Sequence, residues 1–470
     1  MIAASPAYLA ANASMSKRPI FIITISGYSK AFSNAPELLG ITIGSAAIYD
    51  ILTSIEDHQT TVNDLDGGAD LADLIFTVQD RGGMITADFP SFTFEGKTVV
   101  LLQGYAGMAF SDYVPLMTSR LDAVESANDN NDYVFTCPDA AAPLLQTIYQ
   151  TGDDGKPTSS SHPRTLLGHP LDILLDVLET QCGYLPSQVD EAKILTYRDT
   201  VYSGASMKFS LDAAPVAKDF IEHEILKPLG AYRRTNNLGQ ITVEFSYPRT
   251  VTTVYEFTPA NLFAIPVAGQ NDLINEVVIR MDHDGSKFAT ESIKSDAASI
   301  TKYGLFGQQT IESKGLRSGL NGIFLGGITA FLIFLRYGNK ALCHGDNGKN
   351  SSSPPIDAMW AAVLVEPGDL VALTHPQVPN RTLGVVGIIN KSYVVLDRTV
   401  QFFAGHVQLK LVEIDLSKFG GGALTGGGYL ITTNGEAAFT AASGADQKTY
   451  MFLCNDSDQY STGEAANTLA

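Results

Sequence analysis

The chain has 470 residues, enough for about two to four domains. Hydrophobic residues make up 45% and charged residues 17%, which excludes a disordered polymer and supports a large interior. Fifty acids against 31 bases leave a formal charge of −19, and without a basic surface to displace counterions, sequence-specific nucleic-acid binding is not expected.

The chain opens with a short predicted helix, SPAYLAANAS (5–14), with Ser5 as N-cap and Pro6 at the first helical position. Strand-like runs follow: PIFIITISG, DLIFTVQD (73–80), KTVVLLQGY (97–105), YVPLMTSRLDAVES (113–126) and DYVFTCPD (132–139). Gly-Gly pairs and NDNN punctuate them as hairpin turns would. Residues 1–140 are therefore expected to form a small all-β barrel or sandwich.

TGDDGKPTSSSHPR (151–164) is a loop or linker by composition. Beyond it, LLGHPLDILLDVLETQCGY places Leu167, Leu171, Leu174, Leu175 and Leu178 at helical spacing, with Asp172, Asp176 and Glu179 on the opposite face. A second helix is predicted from Pro215 to Leu226, with Val216, Phe220, Ile221 and Ile225 inward. Gly230 then precedes a hairpin, AYRRTNNLGQITVEFSY, so residues 141–250 are expected to be an α+β region.

Strands dominate again over 251–415: TVYEFT, then NEVVIRMDHDGSKFATESI with a turn at Asp284-Gly285. The most apolar stretch, 320–336, holds Asn321 and three glycines and stops at Arg336, so a buried helix is expected and no membrane span. A polar loop (344–355) precedes VEPGDLVALTHP (365–376) and further strands ending near Asp415. GGGALTGGG (420–428) hinges a small β-like C-terminal segment, 416–470. The basic start of KRPIFIITIS is followed by too short an apolar run for an export signal.

FEGKTVVLL (94–102) and VEPGDLVAL (365–373) share a hydrophobe, a glutamate, a glycine and a polar residue before a strand. Each leads into a loop and two long strands, which suggests two similar β-barrels, one early and one late.

Catalytic signatures are sparse. Histidines at 58, 162, 169, 223, 283, 344, 375 and 406 make no HxH or HExxH pattern. EHE (222–224) reads as one solvated face of a helix, and DLDGGAD (64–70) lacks the later ligands of a calcium loop. Cys137, Cys182, Cys343 and Cys454 form no CxxC and are expected as buried, reduced thiols. No GxSxG elbow, P-loop or dinucleotide fingerprint is present. In VEPGDLVALTHP, Glu366 to Asp369 reads as a turn and the following strand is apolar on both faces, which makes it scaffold. His375 sits before Pro376 at the end of that strand and is not taken as a catalytic base. No catalytic, cofactor-binding or metal residue is assigned, and the chain is not expected to be an enzyme.

SITKYGLFGQQTIESKGLRSGLNG (299–322), RYGN, VEPGDLVALTHPQVPN and GVVGIINKSYVVLDRTVQFFAGHVQLKLVEID resemble the baseplate hub (tail hub) proteins of tailed bacteriophages and gene transfer agents. So do SKRPIFIITISGY, the FEGKTVVLLQGY region, LLGHPLDILLDVL and APVAKDFIEHEILKPLGAYRRTNNLGQITV; the resemblance spans roughly residues 1 to 415. It implies a mainly β chain with an α+β middle region: a tube-like barrel at 1–140, inserted structure at 141–250, and a second tube-like barrel at 251–415. Three such chains would offer six barrels in a ring, joining a sixfold tail tube to a threefold tip, a closed homotrimer. The implied partners are a distal tail or tail tube protein, a tail tip or central fibre protein, and the tape measure protein. The implied location is the virion, after assembly in the host cytoplasm. The acidic balance would suit a lumen that repels the DNA sliding through it. The loop at 344–355 and the tail from 420 to 470 depart from the resemblance; contact with a neighbouring baseplate protein or host sugar is the expectation for the tail. Three rival readings are a hexameric distal tail ring protein, a tail-associated glycan-binding or cell-wall-degrading protein, and a secreted adhesin.

Overall fold

The computed structural model describes residues 2–414 except 15–17, 64, 128–130, 151–163, 246–252, 271, 305–306, 321, 339–341, 346–352 and 381–383. The expected linker (all but Arg164), most of the 344–355 loop and the whole 416–470 tail lie outside the described residues. Among them the protein is mainly β, with helices concentrated in the middle region.

The first helix, Pro6–Asn12, forms as expected: the Ser5 side chain accepts a hydrogen bond from the Tyr8 amide at 3.1 Å. Its inner face buries Tyr8 and Ala11. A six-stranded sheet follows, ordered Val114–Arg120, Thr98–Tyr105, Pro19–Ile25, Lys30–Ser33, Ala46–Asp50, Thr42–Ile43. A four-stranded sheet, ordered Ala123–Ser126, Asp132–Cys137, Leu74–Gln79, Leu52–Ile55, supplies Phe76 and Phe135, whose rings stack 4.8 Å apart. The run 113–126, expected as one strand, divides between these two sheets. Leu121 causes the break: it is buried, and its amide and carbonyl bond back to Lys97 and Gly96. A strand that bends at such a point can pass from one sheet to the next.

In the middle region, helix Pro170–Leu175 continues as a π-helical segment, Asp176–Gln181, and buries Leu171, Leu174 and Leu178 as expected. Leu167 does not join them. It lies in strand Arg164–Gly168, paired with Met207–Leu211, and is 64% exposed. Pro170 is the reason, because a residue before proline is disfavoured in helical geometry. His169 is accordingly extended and caps the helix, its ring accepting from the Leu171 amide at 3.1 Å.

The second helix runs from Ala217 through a π-helical segment, Phe220–Leu226, to Leu229, with Phe220, Ile221 and Ile225 inward. Val216 is its extended N-cap rather than an inward helical residue. Gly230 ends it in the left-handed region (φ 61°) and the hairpin Ala231–Thr235/Ile241–Phe245 follows. Helix Gly322–Tyr337 lies in the same core, against Lys227–Leu229 and a sheet formed by Glu276–His283, Phe288–Ser295 and Gln308–Glu312; its Thr329 hydroxyl donates to the Pro228 carbonyl at 2.8 Å. No helix of the described residues is long and apolar enough to cross a membrane.

The largest sheet has nine strands and curls into a half-barrel. Its path runs Tyr255–Phe257, Leu370–Asn380, Val385–Gln401, His406–Glu413, Leu342–His344, Gly269–Gln270. Strand His58–Asn63, from the N-terminal region, pairs with Val385–Gln401 in register Thr61 to Asp397 through His58 to Val400. Beneath, one hydrophobic core joins Phe21, Phe76, Leu101 and Phe135 to Trp360, Leu373, Tyr393 and Leu409. The early and late β regions are thus packed on each other.

The repeated phrase adopts one geometry twice. Gly96 (φ 77°) and Gly368 (φ 88°) turn the chain into Thr98–Tyr105 and Leu370–Asn380, each with a neighbouring strand on both sides. Both turns use the conformation that glycine alone adopts without strain.

Candidate functional site

Glu366 and Asp369, the carboxylates of the VEPGD turn, face inward. Asp369 accepts from the Glu366 amide at 2.9 Å and so closes the turn on itself. Glu366 accepts from Arg234 Nη1 at 2.8 Å, and Arg234 also reaches Glu244 at 3.1 Å. Lys193 Nζ completes the chain at 2.5 Å from Glu244. Arg234, Glu244 and Glu366 are all buried. Burial opposes the Arg234 charge, yet Glu366 and Glu244 overcome it and hold its pKa above the ordinary arginine value.

Arg398 lies next to this group on Val385–Gln401. Burial pulls its pKa down against the charges of Glu366 and Asp369, and its Nη2 donates to the Val363 carbonyl at 2.7 Å. A cavity of about 30 Å³ lies among His58, Thr60, Arg234, Glu366 and Arg398. Burial and then Arg398 push the His58 pKa down to about 3, so its ring is neutral. The arrangement is a buried ionic link between the middle hairpin and the late sheet, with neutral His58 of the early strand beside it. It offers no accessible nucleophile or base.

The other sequence candidates resolve in the same direction. Glu222 of EHE is buried and accepts from Arg233 Nη2 at 2.7 Å, which corrects its reading as part of a solvated face. Arg233 Nη2 also donates to the Ala69 carbonyl at 3.0 Å, pinning the 64–70 segment. There Asp66 pairs with Lys227 at 3.1 Å and Asp70 with Lys218 at 2.9 Å, so the two carboxylates diverge toward lysines instead of converging on a cation. His375 is buried, and its Nδ1 accepts from the Gln377 amide at 3.2 Å. His344 is buried as well, with its pKa pushed down to about 4 by burial. His406 Nδ1 lies 2.5 Å from Asp357, and His283 Nδ1 accepts from the Gly285 amide. Cys137 and Cys343 are buried and Cys182 half-buried, all unbridged; His162 and Cys454 lie outside the described residues. Among the described residues, no group of three or more His, Cys, Asp or Glu side chains could hold a metal ion.

What the surface does present is apolar. At the tip of the hairpin formed by Leu370–Asn380 and Val385–Gln401, Val385 and Val386 are 53% and 74% exposed; Ile389, 84% exposed, lies midway along it, beside Asn390, whose amide donates to Thr374 Oγ1. Near the base of the same hairpin, a groove of about 770 Å³ runs between the first helix and the segments around Tyr255, Phe263 and Trp360. Sequence reading missed both features. The one available signal was the run GVVGIIN, whose apolar residues are too many for the half-buried strand they occupy.

No family model matches the sequence, and no curated protein does. Among solved structures, the tail protein from Neisseria meningitidis MC58 aligns over 84% of this chain and 97% of its own, at 10% identity and TM-score 0.46. The 43 kDa tail protein of prophage MuSo2 from Shewanella oneidensis aligns over 84% and 98%, at 10% identity and TM-score 0.41. Prophage tail protein gp18 from Listeria monocytogenes EGD-e aligns over 83% and 94%, at 10% identity and TM-score 0.41.

Proposed function

We propose that the chain is a structural protein of a phage tail, a homotrimeric hub that joins a sixfold tube to a threefold tip and borders the DNA passage. The observation that carries this reading is where the charged and apolar groups are spent. The motif carboxylates are consumed in buried pairs, Glu366 with Arg234 of the middle hairpin and Glu222 with Arg233, while bulky aliphatic residues stand exposed on a hairpin of the late sheet. A large exposed apolar patch on a folded protein marks an interaction site. The twice-used turn and strand support a tube-like barrel in each β region. The sequence resemblance supplies the hub assignment and, with it, a distal tail or tail tube protein, a tip protein and the tape measure as partners.

Light scattering and negative-stain imaging of the purified full chain test the proposal. Three chains of 50.3 kDa, about 150 kDa, in a ring with a central hole are the expected result. A hexameric ring would move the assignment to a distal tail ring protein. Turnover of peptidoglycan or host polysaccharide, abolished by one carboxylate substitution, would replace it with a cell-wall-degrading function.

A further inference from the structure

The exposed hairpin tip and the groove near its base are complementary in chemistry and lie at opposite ends of one strand. Val371, at the start of Leu370–Asn380, pairs with Tyr255 of the groove. Asn380, at the other end, pairs with Val385 of the tip. Nine residues of extended chain separate the two ends by about 30 Å. A tip therefore cannot reach the groove of its own chain, but it can reach that of a neighbour.

Charge singles out the same two surfaces. Two copies of a chain with a formal charge of −19 repel each other over most of their surface. The tip segment, PQVPNRTLGVVGIIN (376–390), contains no acid and a single arginine. The groove is lined by Leu9, Tyr255, Phe263, Met359, Trp360, Leu364 and others, none of them charged. Two of its polar side chains are satisfied internally: the Tyr105 hydroxyl donates to Asn12 Oδ1 at 2.5 Å, and Asn12 Nδ2 donates to the Ala361 carbonyl at 2.9 Å. What the groove offers an incoming surface is mainly aromatic and aliphatic.

We infer that the tip of one copy, carrying Val385 and Val386, docks into the groove of the next copy in a head-to-tail contact. Such a contact joins unlike surfaces, so it generates a ring when the rotation closes. Burying these aliphatic side chains supplies the hydrophobic drive, and the uncharged walls avoid stranding a charge at the contact. The inference rests on the multimeric reading above and specifies its interface.

Two substitutions at exposed positions of the full chain test it, V386D on the tip and F263D in the groove. Each is expected to reduce the wild-type multimer to single chains by light scattering, with an unchanged circular dichroism spectrum. Each variant retains the surface the other lacks, so mixing them one to one should restore a two-chain species. A photo-crosslinking residue at position 385 of the F263D copy should then join the groove of the partner copy. If the mixture stays monomeric although each variant is, the tip and the groove do not meet each other and the inference falls; if only the tip variant loses the multimer, the contact is tip to tip and the inference falls as well. If both variants keep the wild-type mass, the interface lies elsewhere: the inference falls while the hub reading stands. If the wild-type chain itself is monomeric at every accessible concentration, the inference also falls, and assembly on a partner tail protein becomes the test of the hub reading.

Discussion

Glu366 shows how far a residue's role depends on partners remote in sequence. Its turn was legible from Pro367 and Gly368, but the arginine it holds lies 132 positions earlier in the chain. Removing one partner of a buried pair strands the other charge, at a cost of about 3–5 kcal/mol. Glu366→Ala is therefore expected to lower stability in urea unfolding toward the lower end of that range, about 3 kcal/mol, since Arg234 keeps Glu244. Glu366→Leu combined with Arg234→Met should recover only part of the loss, because it removes Arg234 from buried Glu244, which also pairs with Lys193.

The buried histidines make a second prediction at this scale. His58 and His344 have native pKa values pushed down to about 3 and about 4, against about 6.5 when unfolded. The unfolded chain therefore binds protons first as pH falls. Their contribution is undiminished above about pH 6.5, is lost progressively toward pH 3–4, and levels off below the native values. Replacing either residue with glutamine should flatten the slope of stability against pH below 6 by up to about 1.4 kcal/mol per pH unit. An unchanged slope in His58→Gln would mean that this ring is hydrated in the native state.

At the scale of elements, helix starts and stops were legible because they are local. Ser5, Pro6 and Gly230 act within one turn of where they sit. Gly230 also carries a packing constraint invisible in sequence: a Cβ there would approach Leu332 Cδ1 to 2.7 Å. Gly40 shares the left-handed backbone (φ 77°) but has open space around it. Gly40→Ala is therefore expected to cost about 1 kcal/mol from backbone strain alone, and Gly230→Ala about 1–3 kcal/mol more from overpacking, measured by thermal unfolding. Leu167 was misread for a local reason too. Leucine spacing suggested a helix across Pro170, and the proline's effect on the residue before it decided otherwise. Strand His58–Asn63 escaped reading altogether, because two of its three buried positions are histidine and threonine.

For the whole molecule, that unread strand matters most. It carries the early region into the late sheet, above a core to which both contribute. Residues 1–140 expressed alone are thus expected to lack a cooperative unfolding transition, because Phe21 and its neighbours would lose Trp360, Phe402 and the rest of the shared core. A sharp transition in that fragment would mean that its own two sheets suffice. By itself the sequence determined the balance of β and α, the caps, the tight turns and the apolar helix at 322–337, all set by residues within a few positions of one another. Only the tertiary structure decided which carboxylates are buried in pairs, that the two β regions share a core, and which apolar residues are left outside. Those outcomes depend on contacts between residues hundreds of positions apart, and hydrophobic period and turn chemistry carry no information about such partners.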